Sequence, residues 1–209
     1  MSVLNQLASA LGRRDELPNQ ELARALVRNN DLQGIAEIGQ NLLNKDKFIQ
    51  RDCIKVLYEI GYLKPEFISE YTGEFLKLLS NRDNNVVWRS MIALTTTSQL
   101  KADDIFKQID LLESVIREGS VITRDAGIKV MATVAKQNER YRQKIYPFLL
   151  NHLKSCRPKD VPQHAESIFP AVGVDDVFSF CEVLNDRKAL FNKTQLSRVN
   201  KLIKQAESL

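Results

Sequence analysis

Three times along the chain, a polar turn and an acidic residue are followed by an arginine that opens an amphipathic helix. The stretches are KDKFIQRDCIKVLYEIG with Asp46 and Arg51, NRDNNVVWRSMIALTTTS with Asp83 and Arg89, and EGSVITRDAGIKVMATVA with Glu118 and Arg124. The arginines stand 38 and 35 residues apart. A period of that size in a helical pattern belongs to stacked helix pairs, because one pair alone cannot bury its apolar face. The expectation is therefore an all-α fold of antiparallel helix pairs. Gly (8) and Pro (6) are scarce, which speaks against an all-β fold with its many tight turns.

Helical periodicity covers nearly the whole chain. Val3, Leu4, Leu7, Ala8 and Leu11 share one face, with Ser2 as a cap and Gly12 as a stop. A short second helix is expected around Leu22, Ala25 and Leu26, with Asn19 as its cap. Asp31 opens a helix to about Asn44, and Asp46 the next. Pro65 suits the first turn of a helix that runs to Leu79. The helix from Asn85 is expected to fray at Thr95, Thr96 and Thr97, which are poor helix formers. Asp103 and Ser120 cap the third pair. The fourth pair begins near Glu139, and Pro147 should kink its first helix. Residues 1–30 and 172–209 read as capping helices around about four pairs in 31–171, all in one domain spanning 1–209.

Two of these segments, EYTGEFLKLLS and KIYPFLLNHLKS, are similar to the close of the first helix in HEAT repeats. The acid-to-arginine spacing at Asp83/Arg89 and Glu118/Arg124 resembles the turn inside each such repeat. Asp46 to Arg51 is one residue shorter, and Gln163 stands near where a fourth arginine would be. The resemblance covers roughly residues 31–171. It implies a right-handed α-solenoid, a HEAT-like or armadillo-like superhelix with the second helices on the concave side. It further implies that Asp46, Arg51, Asp83, Arg89, Glu118 and Arg124 form a structural ladder, each acid bonding an arginine of its own or the next repeat. HEAT repeats serve as scaffolds for many partners, so the likeness speaks to architecture more than to function.

Charge is unevenly placed. The net charge is +4, but residues 1–119 hold 15 Lys and Arg against 17 Asp and Glu, and residues 120–209 hold 15 against 9. The clearest feature is Lys136 to Lys159, with Lys136, Arg140, Arg142, Lys144, Lys154, Arg157 and Lys159 against Glu139 alone. A solvated helical face is the plainer reading. An anion-binding edge for nucleic acid or an acidic protein segment is the sharper one.

Other sites weigh less. Trp88, the one tryptophan, is assigned to the core. His152 and Cys156 lie four apart on one helix face with His164 nearby, but three ligands around a proline-containing turn are a weak metal signal, so no metal or cofactor is expected. The cysteines Cys53, Cys156 and Cys181 are odd in number and far apart, which fits a reducing, cytoplasmic setting over a disulfide framework. The amphipathic N-terminus does not read as a signal peptide, and no run is long and apolar enough for a membrane span. No nucleotide-loop, nucleophile-elbow or zinc-protease motif occurs, and no enzyme is expected. The sequence thus points to a non-catalytic scaffold for another protein, with a sequence-tolerant nucleic-acid-binding module as the alternative.

Overall fold

The computed structural model describes residues 2–209. Every regular element among them is helical, and three quarters of the chain is helix. Two compact units divide it, residues 1–127 and 128–209.

In the first unit, α1 (Leu17–Arg28), α2 (Leu32–Gln40), α3 (Lys47–Leu63), α4 (Thr72–Leu78) and α5 (Asn84–Thr97) are followed by α6 (Ala102–Phe106) and α7 (Ile109–Glu118). Helix α3 is the centre, packed against α1 on one side and α5 on the other, with α2 backing α3 and α4 backing α5. Its apolar residues Cys53, Val56, Leu57 and Ile60 recur at helical spacing and are fully buried. Ile35, Ile38 and Leu42 meet them from the α2 side, and Phe75, Met91 and Leu94 fill the other. Gly61 lets α3 and α5 approach closely: a Cβ there would lie 2.2 Å from Thr96 Oγ1.

Three acids cap as the sequence marks them. Asp31 accepts from the Gly34 amide, Asp46 from Phe48 and Asp83 from Asn85. Elsewhere local structure departs from the pattern. The first segment is a 3-10 turn, Val3–Gln6, and it ends at Gly12 with φ 66°, a backbone that glycine tolerates. Leu11 is left exposed. Asn19 is no cap but lies inside α1 and is buried. The stretch after Pro65 starts as two 3-10 turns, Pro65–Phe67 and Ser69–Tyr71, before α4 begins.

Helix α8 (Val121–Ala135) runs across the division at Gly127. The second unit then holds α9 (Glu139–Ser155), α10 (Val161–Ile168), α11 (Val177–Asp186) and α12 (Lys193–Ala206). Helix α9 packs on α10 and α11, and both of these pack on α12. Ile145, Leu149, Leu153, Ile168, Phe180, Leu184 and Val199 form the core. Helix α9 continues through Pro147, which is exposed. Asn192 opens α12 with a reciprocal capping box to Gln195.

Candidate functional site

The richest polar geometry lies in the first unit, where the N-terminal turns, the start of α1, α3 and α5 converge on a cleft of about 460 Å³. Ala8, Ser9, Arg13, Arg14, Asp15, Glu16, Phe48, Arg51, Asp52 and Arg89 line it. The turns are tied down by side chains the sequence pattern does not mark. Asn19 Oδ1 accepts from the Ala8 amide at 2.9 Å, and Asn19 Nδ2 donates to Asp52 Oδ1 at 2.8 Å. Asp52 Oδ2 accepts from the Ser9 amide at 2.8 Å.

One wall is an ion network. Lys55, buried on α3, reaches Glu16 at 2.9 Å and Glu59 at 2.7 Å, with its ammonium 4.7 Å from the Tyr58 ring centre. Glu16 also takes Arg89 at 2.8 Å. Burial pulls the Glu16 carboxyl upward, but Lys55 and Arg89 outweigh it and hold it below the ordinary value. Burial likewise works against the Lys55 ammonium, and its bonds to Glu59, Tyr58 and Glu16 overcome this to raise its pKa. A buried lysine is tolerated here because it is paired on two sides.

The acids and arginines are not paired within a repeat or onto the next one among the described contacts; the one acid–arginine pair of the series joins Asp83 to the arginine of the preceding repeat. Arg51 bonds forward to Asp83, with Nη2 at 2.5 Å and Nε at 2.9 Å from Oδ2. Asp83 Oδ1 meanwhile caps α5 through the Asn85 amide at 2.9 Å. Asp46 caps α3 and does not meet Arg51. Arg89 turns to Glu16 and the Asn85 carbonyl, not to Asp83. Arg124 bonds the backbone oxygens of Ile116 and Gly119, not the Glu118 carboxylate. The shared reason is reach. Each acid bends back onto amides at its own helix start or toward solvent, and each arginine takes the nearest acceptor on a neighbouring element.

Trp88 is half-buried on α5, not in the core, and the Arg89 guanidinium lies 4.1 Å from its ring centre. Phe48 is 66% exposed at the cleft rim, with Arg51 5.8 Å from its ring centre. Arg13 closes a bidentate pair with Asp15 at 2.9 Å, and Arg14 is exposed with no ion pair among the described residues. Ser9 Oγ and Arg89 Nε are buried polar atoms with no hydrogen-bond partner among the described residues.

In the second unit the basic stretch is spread over the end of α8, the outer face of α9 and the turn after it. Lys136, Arg140, Lys144, Lys154, Arg157 and Lys159 are exposed. Arg142 is not part of that face. It pairs with Glu139 and, at 3.5 Å, with Asp176, and it lies so close over Gly173 that a Cβ there would overlap it. Arg157 pairs with Asp160 at 2.6 Å. A shallower depression of about 650 Å³ runs along α12 past Lys193, Lys201 and Lys204.

The turn between α9 and α10 brings three ligand-type side chains together. His152 Nε2 and His164 Nδ1 lie 2.9 Å apart in a hydrogen bond, and with Cys156 Sγ all three atoms fall within 4.8 Å of one another. Burial raises the Cys156 thiol, and the neighbouring Arg187 works against that rise.

No family model matches the sequence, and no curated protein does either. Solved structures do match. An engineered protein from a structural genomics consortium superposes with a TM-score of 0.69 at 16% identity, over 100% of this chain and 98% of that one. A designed armadillo repeat protein, solved in complex with the peptide (KR)4, gives 0.70 at 14% identity over 98% and 99%. Another designed armadillo repeat protein gives 0.67 at 12% identity over 96% and 98%. Identities this low establish the fold alone: the chain is an all-helical repeat protein with the armadillo-like α-solenoid architecture. No helix among the described residues is long and apolar enough to cross a membrane.

Proposed function

We propose that the chain is a non-catalytic scaffold that binds another protein, and that the cleft beside α3 holds an extended, acidic segment of that partner. The observation that carries this reading is Arg14, an exposed cation of the cleft lining with no ion pair among the described residues. Its guanidinium donors open into a site rimmed by Phe48. Carboxylates and main-chain carbonyls satisfy such donors, and an exposed aromatic at a rim supplies the apolar anchor common in protein interfaces. The peptide-bound designed armadillo protein supports the view that this fold presents an extended surface to a chain of residues. The carboxylates nearby are suited to binding over proton transfer. Glu16 and Asp83 are held below their ordinary pKa by cations and amides, which makes them poor bases near neutral pH. We keep within the proposal the repeat region 31–171 with flanking caps, and a cytoplasmic setting in keeping with the free thiols of Cys53, Cys156 and Cys181.

The exposed cations of α8, α9 and the following turn favour a second reading, a sequence-tolerant nucleic-acid contact. Arg142 and Arg157 are spent on Glu139, Asp176 and Asp160, so Lys136, Lys154 and Lys159 would carry it. An affinity pull-down from the native organism, run with and without nuclease, separates the two. Protein partners that survive nuclease and are lost on Arg14→Glu support the cleft. Partners that vanish with nuclease, or with Lys154→Glu and Lys159→Glu, support the basic edge instead.

A further inference from the structure

We propose that His152, Cys156 and His164 form a zinc-binding site at the turn joining α9 to α10. The donor set is the first argument. Two imidazoles and a thiol are the ligands that a borderline-soft dication such as zinc prefers, and a site with three protein ligands leaves a fourth position for water or an outside group.

Geometry is the second. Zinc sits about 2.0–2.1 Å from nitrogen and about 2.3 Å from sulfur, so tetrahedral ligands stand about 3.3–3.6 Å apart. The two histidine nitrogens here are 2.9 Å apart, and no pair among the three ligand atoms exceeds 4.8 Å. The nitrogens need to part by a few tenths of an ångström and the sulfur to close by about one, movements that side-chain torsions supply without moving backbone.

The backbone beneath is already fixed. The Cys156 amide donates to the His152 carbonyl at 2.8 Å, which keeps these two residues one helical turn apart on the same face. Arg187 of the segment after α11 clamps the end of α9 by donating to the Leu153 carbonyl at 2.5 Å and the Cys156 carbonyl at 2.7 Å. Its guanidinium stands 3.8 Å from Cys156 Sγ, where it favours the thiolate that a metal needs. The turn itself is closed by Arg157 and Asp160, through a backbone bond at 2.9 Å and the side-chain pair at 2.6 Å. It delivers His164 at the first full turn of α10, 1% exposed, while His152 and Cys156 stay half-buried and open a path for the ion. A helix end and a helix start are thereby held around one point, as the hydrogen bonds that orient metal ligands hold them.

Binding balances simply. The thiol proton passes to solvent and the thiolate takes the ion. The hydrogen now shared between His152 Nε2 and His164 Nδ1 leaves that line, and each ring carries its proton on the nitrogen away from the metal. The sequence pattern undervalues the set because His152 and Cys156 are legible as neighbours, whereas the approach of His164 depends on how the turn closes.

The test uses the full chain stripped of metal by a chelator and titrated with cobalt(II), then zinc(II). One cobalt per chain is expected, with a thiolate-to-cobalt charge-transfer band that zinc abolishes by displacement. Cys156→Ser should remove the band and weaken zinc binding by more than the about 10–100-fold that outer-shell changes cost, while Cys181→Ser leaves both intact. His152→Ala should weaken zinc binding as much. Circular dichroism checks that each variant is folded, and Cys156→Ser, a change of one atom, decides the matter if the histidine variants are not. Absence of the band in the parent chain, its survival in folded Cys156→Ser, or binding of copper(I) but not zinc would each overturn the assignment.

Discussion

Asp83 performs two tasks with its two oxygens, one on the Asn85 amide and one on the Arg51 guanidinium. Burial raises its carboxyl, and Arg51 and Asn85 outweigh it to bring the pKa below the ordinary value. Asp83→Ala should therefore cost about 1–2 kcal/mol, the scale of a lost helix cap. Glu118 accepts from the Ser114 hydroxyl one helical turn back at 3.4 Å and is exposed, so Glu118→Ala should change stability by no more than about 0.5 kcal/mol. Urea denaturation of the two variants side by side checks the contrast; equal costs would mean the ladder is not polarised as described. Glu16 adds a pH signature. Its folded pKa lies below its ordinary 4.5, so the unfolded chain takes up the proton first as pH falls. The stability it contributes is complete above about pH 4.5 and disappears as pH drops through the folded value. Glu16→Gln should accordingly flatten the acid limb of a stability-against-pH curve below pH 4.5, while an unchanged limb would place the acid sensitivity elsewhere. At this scale the sequence is half legible. The capping oxygen of Asp83 follows from its place before a helix, but its second partner lies 32 residues back, and no local pattern names it.

Among the elements, α3 carries the first unit, and Gly61 sets how closely it lies on α5. Ile68 Cδ1 and Thr96 Cβ, each 2.8 Å from the missing Cβ, leave no easy escape. Thr96 is itself fixed by its hydroxyl on the Ala93 carbonyl at 2.8 Å. Gly61→Ala should then destabilise by about 1–3 kcal/mol, the cost of overpacking, despite alanine's better helix propensity. Thermal unfolding reads the sign directly, and a rise in Tm would show that the interface yields. The apolar rows of α2, α3, α5 and α9 are legible in the sequence because burial imposes the helical period on them. The first eleven residues are not. Val3, Leu4, Leu7 and Ala8 share a helical face, yet Asn19 and Asp52 capture the Ala8 and Ser9 amides that a continuing helix would use. The split of the stretch after Pro65 is hidden for a related reason: its apolar spacing suits one helix, and packing of Ile68 and Phe75 against α3 and α5 chooses two 3-10 turns and a short helix instead.

At the scale of the molecule, the repeat period alone gives the class of fold, and the structure places the chemistry where that period does not point. Asp46 and Asp83 of the acid–arginine series serve as helix caps, while the cleft that Arg51 and Arg89 line is tied together by Glu16, Asn19, Asp52 and Lys55, none of which belongs to the repeat signature. The basic stretch loses Arg142 and Arg157 to internal pairs, which weakens it as an anion site and favours the proposal that the cleft meets the partner. Binding of an extended acidic segment in this cleft, as proposed above, is measured with a phage-displayed library of random peptides selected on the full chain. Fluorescence anisotropy then compares the enriched peptides on the parent chain, on Arg14→Glu with Phe48→Ala, and on Lys154→Glu with Lys159→Glu. If the cleft holds such a segment, enriched peptides are rich in Asp and Glu, bind the cleft variant at least about tenfold more weakly, a loss of about 1.4 kcal/mol, and bind the α9-edge variant as they bind the parent. Enrichment of no peptide, or of peptides indifferent to Arg14 and Phe48, would contradict the proposal.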